Sequence, residues 1–252
     1  MKASLVITAI ADLIWPPRCA ACSTRLHSEG PADKPTVFCR ACSESLLFVE
    51  DPICPLCGLP YEGSGPNHRC SACLEKSPPF LKARAVLHYG GAAAEAILRF
   101  KYGKAPHLGR PLGRLLALAA GDVQRPDLVA PIPLHPKRLR DRGFNQSTLL
   151  ARPVAAAVKA SFHPELLKRV RDTGSQTGLS RAERTNNLKG AFSVSNAAKV
   201  SGSRVLLIDD VVTTTTTVRE AALTLTRAGA RSIEVLSLAR ASGSLAPFRQ
   251  KS

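Results

Sequence analysis

Val205 to Ile208 form an unbroken apolar run, and Val218, Ala221, Ala222 and Leu225 then recur at helical spacing before Gly229. The run predicts a strand buried on both faces of a parallel sheet, and the spacing predicts a helix from Val218 to Arg227. The same alternation occurs earlier in the chain. Ala83–Tyr89 reads as a strand closed by Gly90-Gly91. Ala92–Tyr102 reads as a helix with Glu95 and Arg99 four residues apart and Gly103 as its stop. Leu108, Leu112, Leu115, Leu116 and Ala119 form a second helical stripe, interrupted early by Pro111, and Asp127–Ile132 is a further strand. Strands alternating with helices predict an α/β domain built on a parallel sheet. Residues 17–78 lack this periodicity: they are rich in Pro and Gly and poor in long apolar runs. The expected organisation is an amphipathic N-terminal segment over 1–16, a small module over 17–78, a linker at Pro78-Pro79, an α/β domain over 80–243 and a tail over 244–252.

The small module holds every cysteine of the chain, as four Cys-x-x-Cys pairs: Cys19/Cys22, Cys39/Cys42, Cys54/Cys57 and Cys70/Cys73. Each pair puts two thiolates on one tight knuckle, and two knuckles complete the S₄ tetrahedron that Zn²⁺ accepts. Sixteen residues separate Cys22 from Cys39 and twelve separate Cys57 from Cys70, near the range of a two-knuckle site. Disulfides would require an oxidising compartment, and a redox pair would need a βαβ context. Two structural zinc sites are therefore expected, in sequential order, with an interleaved cross-brace as the alternative. A closed Cys₄ site leaves no position for water, and a module this small commonly needs a metal staple. His27 and His68 are read as surface residues rather than ligands.

The formal charge is +16, which eight thiolates and two Zn²⁺ would lower by four, to about +12. Lys137 to Lys189 carries twelve Lys/Arg against four acids, net +8 in 53 residues. Such a face attracts phosphate, nucleotide or nucleic acid. Only Phe144 and Phe162 lie within it, with Phe192 just beyond, few for a surface that stacks bases of a single strand. No segment approaches the roughly 20 apolar residues of a membrane span, and Leu5–Ile7 is too short for a signal sequence core, so a cytoplasmic protein is expected.

The run Val205–Ile208 ends in Asp209-Asp210, and Thr213, Thr214, Thr215, Thr216 and Thr217 follow. A loop at a helix N-terminus presents free N–H groups to a phosphate, and open α/β sheets hold ligands beyond the carboxyl ends of their strands. Adjacent carboxylates cannot face that phosphate, so they must face something neutral or cationic, such as ribose hydroxyls or Mg²⁺. Upstream, Pro131-Ile132-Pro133-Leu134-His135-Pro136-Lys137-Arg138-Leu139-Arg140-Asp141-Arg142 reads as a Pro-stiffened loop whose cations meet a polyanion; a solvated basic loop is the alternative. Ser180–Asn187 reads as a capped helix on which Arg181 and Arg184 share a face.

The acid–threonine stretch resembles the phosphoribosyl-pyrophosphate (PRPP) motif of type I phosphoribosyltransferases, with Thr215 standing where those enzymes have glycine. Glycine permits positive φ there, whereas a β-branched residue at positive φ is an outlier. More broadly, the order of the four knuckles, Tyr89-Gly90…Ile97-Leu98-Arg99-Phe100-Lys101-Tyr102, Pro131–Pro136…Arg142-Gly143-Phe144-Asn145-Gln146, Gln176…Leu179…Arg181…Arg184…Asn187-Leu188 and the acidic motif resembles the ComF family. That resemblance implies a double zinc ribbon joined to a type I phosphoribosyltransferase-like domain. It implies PRPP bound with Mg²⁺, the ribose on Asp209 and Asp210 and the 5′-phosphate on Thr213–Thr217. The pyrophosphate would lie on a loop comprising Pro133, Leu134 and His135, extended by Lys137, Arg138, Arg140 and Arg142, beneath a mobile loop carrying Gln176, Arg181, Arg184 and Asn187. It also implies the handling of single-stranded DNA during natural transformation, alongside DNA-uptake helicase or channel proteins. Three functions follow: a PRPP-binding competence protein, an active phosphoribosyltransferase on an unknown acceptor, or a zinc-ribbon nucleic-acid adaptor with a vestigial transferase domain. Thr215 counts against the second, and the paired acids count against the third.

Overall fold

A computed structural model of the chain describes residues 16–26, 37–172 and 187–241. Gln176, Arg181 and Arg184, the helix expected over 180–187, the N-terminal segment, His27 and the C-terminal tail lie wholly or largely outside the described residues.

The body is a five-stranded parallel sheet in the order β1 (Lys82–His88), β7 (Ser232–Arg240), β6 (Arg204–Val212), β2 (Leu128–Pro131), β3 (Ser161–Phe162). A separate antiparallel pair, β4 (Leu167–Arg169) and β5 (Phe192–Val194), lies apart from it. The period of two along each strand divides the core. Leu206, Ile208 and Val129 face one side, packed with Ala93, Ile97 and Phe100 of α3 (Gly91–Tyr102), Leu112 and Leu116 of α4 (Gly109–Leu118), and Leu150 and Val154 of α6 (Gln146–Val158). Val205, Leu207 and Ala130 face the other, packed with Val218, Ala221, Ala222 and Leu225 of α8 (Thr216–Arg227). All four α8 residues are those that the helical spacing singles out. The helix after β2 and the helix after β6 thus cover opposite faces, which opens a crevice between these neighbouring strands at their carboxyl ends.

Close approach of α4 to α6 depends on missing side chains. A Cβ at Gly113 would meet Pro153 Cγ at 2.8 Å, and one at Gly109 would meet Leu149 Cβ at 2.5 Å.

The zinc module is built on one repeated local device. In all four Cys-x-x-Cys pairs the N–H four residues on closes back to the first cysteine carbonyl: Ser23 to Cys19, Ser43 to Cys39, Gly58 to Cys54 and Leu74 to Cys70. The second knuckle of each ribbon opens a short helix, α1 (Arg40–Glu44) or α2 (Ser71–Glu75), with Cys39 or Cys70 at the N-cap. Ribbon one merges with the main core through Cys19, Ala20, Leu26, Val37 and Phe38. Arg99 of α3 ties it down, donating to the carbonyls of Cys19, Ala20 and Ala21 at 2.9, 2.7 and 3.1 Å. Between the ribbons, the chain lies against the free edge of β1: Val49 N–H donates to Val86 and His88 N–H donates to Leu47.

The stretch expected to be a basic loop is helical. Pro136–Arg142 form α5, because His135 caps it, Pro136 occupies a first-turn position where its missing N–H costs nothing, and Gly143 (φ +82°) ends it. The remaining short helix, α7 (Ala197–Val200), leads into β6. Among the described residues no helix is long and apolar enough to cross a membrane.

Candidate functional site

β6 extends four residues past Ile208, through both aspartates to Val212, because its pairing with β7 continues after β2 has ended at Pro131. Asp209 and Asp210 therefore stand on a strand whose neighbour on one side is gone. Consecutive strand residues normally point to opposite faces. Here each carboxylate folds onto the next residue: Asp209 Oδ1 accepts from Asp210 N–H at 2.9 Å and Asp210 Oδ1 accepts from Val211 N–H at 2.7 Å. Both then line one cleft of about 840 Å³.

Lys101, from the end of α3, lies 3.0 Å from Asp210 Oδ2. Burial opposes its charge, yet Asp210, with help from Asp209, holds its pKa above the ordinary lysine value. Asp209 goes the other way. Burial first, and the neighbouring Asp210 carboxylate second, raise it to about 7, against the Lys101 charge and a 3.2 Å hydrogen bond from Ser147 Oγ. The site thus holds one carboxylate paired with a cation and one poised to exchange its proton near neutrality.

The opposite wall is cationic. Lys137, Arg138 and Arg142 of α5 line the cleft, as do Pro133 and Leu134 before it and Arg169 from β4. His135 and Arg140 do not line it: His135 is spent on capping α5 and sits 3.8 Å from Asp172, and Arg140 falls on the helical face away from the cleft. Helix rather than loop geometry sorts these cations, since residues 137, 138, 141 and 142 share a face and 140 does not. Asn145 fixes the helix pair against the sheet, accepting from Ser147 N–H at 3.1 Å while its amide donates to the Ile132 carbonyl at 3.0 Å.

The threonine loop closes the third side. Thr213 and Thr217 line the cleft, and Thr214, Thr215 and Thr216 with their neighbours enclose a small concavity beside it at the N-terminus of α8. Thr215 adopts φ +55°, ψ −5°, so the threonine takes the left-handed conformation of the glycine it replaces and carries its strain, about 1–3 kcal/mol. Among the predicted mobile-loop residues only Asn187 is described, in a helical turn preceding β5.

Several cleft residues carry a weaker sequence signal than the acids and the basic stretch. Lys101 stands in the Ile97–Tyr102 motif, where a charge on the apolar stripe of α3, one turn after Ile97, is what marks it. Arg142 lies over the Tyr102 ring at 5.0 Å and donates to Gln146 Oε1 at 2.7 Å. Ser147 and Arg169 carry no periodic or motif signal of their own.

The cysteines gather in sequential order, Cys19 with Cys22, Cys39 and Cys42, and Cys54 with Cys57, Cys70 and Cys73. In each set the sulfurs lie within 4.8 Å of one another, all eight thiols are free, and Cys22–Cys39 and Cys57–Cys70 are each 3.6 Å apart. Zn–S bonds of about 2.3 Å in a tetrahedron put sulfurs about 3.8 Å apart, so both sets fit Zn²⁺. Native mass spectrometry of protein purified without chelator is expected to give two zinc ions per chain; one or none would contradict the two-site arrangement.

Known proteins agree with this architecture. Residues 10–74 match the family model of the double zinc ribbon domain, and residues 146–250 match that of the phosphoribosyl transferase domain. The chain is 35% identical to the DNA utilization protein YhgH of Escherichia coli K12, covering 81% of this chain and 90% of that one. It is 32% identical to competence protein F of Haemophilus influenzae, covering 89% and 97%. It is 29% identical to competence protein ComFC of Bacillus subtilis, covering 80% and 83%.

Proposed function

The chain belongs to the ComF family, and from that premise we propose that it is a cytoplasmic protein of DNA uptake that binds PRPP or a related ribose phosphate as its Mg²⁺ complex and handles single-stranded DNA. One observation carries the ligand reading: two acids, a cluster of arginine and lysine and a helix N-terminal threonine loop surround one cleft.

Ribose hydroxyls donate to the carboxylates of Asp209 and Asp210. N–H groups at the start of α8 take the 5′-phosphate, with the helix dipole adding to the attraction. Lys137, Arg138, Arg142 and Arg169 neutralise the pyrophosphate. Asp209 and Asp210, the hard oxygen donors of the site, would hold a Mg²⁺ that accompanies the ligand, and the ion would supply shielding of its charge. Lys101 releases Asp210 to the incoming ligand by a small shift, because a lysine ammonium is a single point charge on a flexible stem.

A ³¹P spectrum of the protein with Mg-PRPP tests this. Line broadening with the ribose C1–O bond to pyrophosphate intact identifies a binder, release of pyrophosphate in the presence of an acceptor identifies a transferase, and an unperturbed spectrum removes the ligand reading.

For DNA the two faces of α5 separate two roles. Arg140, directed away from the cleft, contacts the phosphates of a strand, whereas Arg138 serves the cleft ligand. Arg140→Ala is therefore expected to lower the log–log salt slope of single-strand binding by roughly 0.7 and leave Mg-PRPP affinity unchanged. Arg138→Ala is expected to weaken Mg-PRPP binding. Identical behaviour of the two variants in filter binding and calorimetry would show that α5 presents one undivided anion surface.

A further inference from the structure

Two arginines outside the cleft hold the phosphate loop, and one of them joins it to the second zinc ribbon. Arg240, the last residue of β7, is 4% exposed and donates from Nη1 to the carbonyls of Val212 at 3.3 Å and Thr213 at 3.0 Å, where the loop leaves β6. Arg219, on the first turns of α8, reaches the loop's other end. Its Nε donates to Thr215 Oγ1 at 3.2 Å, while Nη2 and Nη1 donate to the carbonyls of Lys76 at 2.9 Å and Ser77 at 3.4 Å. Lys76 is the C-cap of α2, the helix that carries Cys73. The ribbon itself sits hard against the sheet: Gly58, at φ +65°, has no room for a Cβ, which would lie 2.5 Å from the Ala83 carbonyl oxygen.

We propose that the second zinc ribbon is a working part of the phosphate loop, held to it by Arg219, so that occupancy of the Cys54–Cys73 site sets the loop's order and its affinity for a phosphate monoester. The affinity part rests on the ligand reading above; the ordering part does not. Physically, a metal bound by Cys73 fixes the end of α2, where the Lys76 and Ser77 carbonyls receive Arg219. Without the metal that end of α2 loses its anchor, and Arg219 loses the carbonyls that hold it against Thr215. Thr215 acquires a purpose in the same scheme. Its hydroxyl gives Arg219 an acceptor that glycine lacks, and that bond helps hold a β-branched residue at positive φ.

The test uses the full chain and reads amide hydrogen exchange over residues 211–217, zinc content by native mass spectrometry, and Mg-PRPP affinity by calorimetry. Arg219→Met is expected to retain two zinc ions, speed loop exchange at least tenfold and weaken Mg-PRPP about tenfold. Cys54→Ser is expected to lose one zinc and speed the loop equally, with β2 unchanged as the control for global unfolding. Cys22→Ser, in the first site, is expected to lose one zinc and leave loop exchange within twofold. Loop exchange within twofold of the parent in both Arg219→Met and Cys54→Ser overturns the proposal. So does equal acceleration by Cys22→Ser, which would make any zinc loss sufficient. A parent chain that binds no Mg-PRPP refutes the ligand reading, while the exchange data still decide whether the ribbon orders the loop.

Discussion

Lys101→Met is expected to destabilise the protein by about 3 kcal/mol, the lower end of what breaking a buried ion pair costs. The lower end applies because Lys101 and Asp210 keep 20% and 12% of their side-chain surface exposed at the cleft wall. Methionine fills most of the lysine stem's volume but removes the cation paired with Asp210, which then stands beside the Asp209 carboxyl. At about 2–4 °C per kcal/mol for a chain of this size, the midpoint of thermal unfolding should fall by roughly 6–12 °C. Adding Asp210→Asn removes the stranded charge and should restore at least half of the loss. A double-mutant cycle with no coupling would mean that water entering the cleft, not Lys101, compensates Asp210.

Asp209→Asn is expected to move stability and binding in opposite directions. In the folded protein this carboxyl titrates near 7, whereas in the unfolded chain it titrates near the ordinary value of about 3.9. Between those values the native state holds the proton and the unfolded state does not, so its contribution to stability is intact below about pH 4 and is lost as pH rises to about 7. Asparagine cannot ionise, and its oxygen still accepts from Ser147 Oγ and Asp210 N–H. The variant should therefore be more stable at pH 8 by about 1 kcal/mol, a figure discounted for solvent at the cleft, and the advantage should vanish by pH 4. Mg-PRPP binding should fall at least a hundredfold, because an amide oxygen is a poor substitute for a carboxylate facing hydroxyls and a divalent cation. In the parent, affinity should rise with pH through about 7, and that rise should be absent in the variant. A parent whose affinity is flat between pH 6 and 8 would remove Asp209 from the ligand.

How much of this site could be read from residues alone depends on how local its determinants are. The parallel sheet, the β6–loop–α8 unit and the sequential cysteine sets follow from apolar runs, helical spacing and short knuckle motifs, all contained within a few residues. The turn of Pro136–Arg142 into a helix was hidden because the three prolines of 131–136 and four cations suggest a loop, yet Pro136 falls where a helix tolerates it. That one difference re-sorts the cations between cleft and exterior. Lys101, Ser147 and Arg169 come to the cleft from three separate elements, and only the packing of α3, α6 and β4 against the sheet brings them together. Arg219 and Arg240 are farther still from any pattern: apart from the Thr215 hydroxyl beside Arg219, their partners are backbone carbonyls of distant segments, which no residue type announces. Thr215 was legible as a departure, while its left-handed backbone and its bond to Arg219 required the fold.

The stretch Leu47–Val49, laid along β1 between the two ribbons, has a bearing on how the protein behaves in solution. Open sheet edges invite pairing with a second chain, and β1 is the outermost strand on that side of the sheet. With metal in both ribbons, the segment that covers this edge is anchored at either end, by Cys42 before it and Cys54 after it. Stripping the metal would free that cover and leave a seven-residue strand with unanswered N–H and C=O groups, so chelator-treated protein should precipitate or form strand-paired oligomers well before its α/β body unfolds.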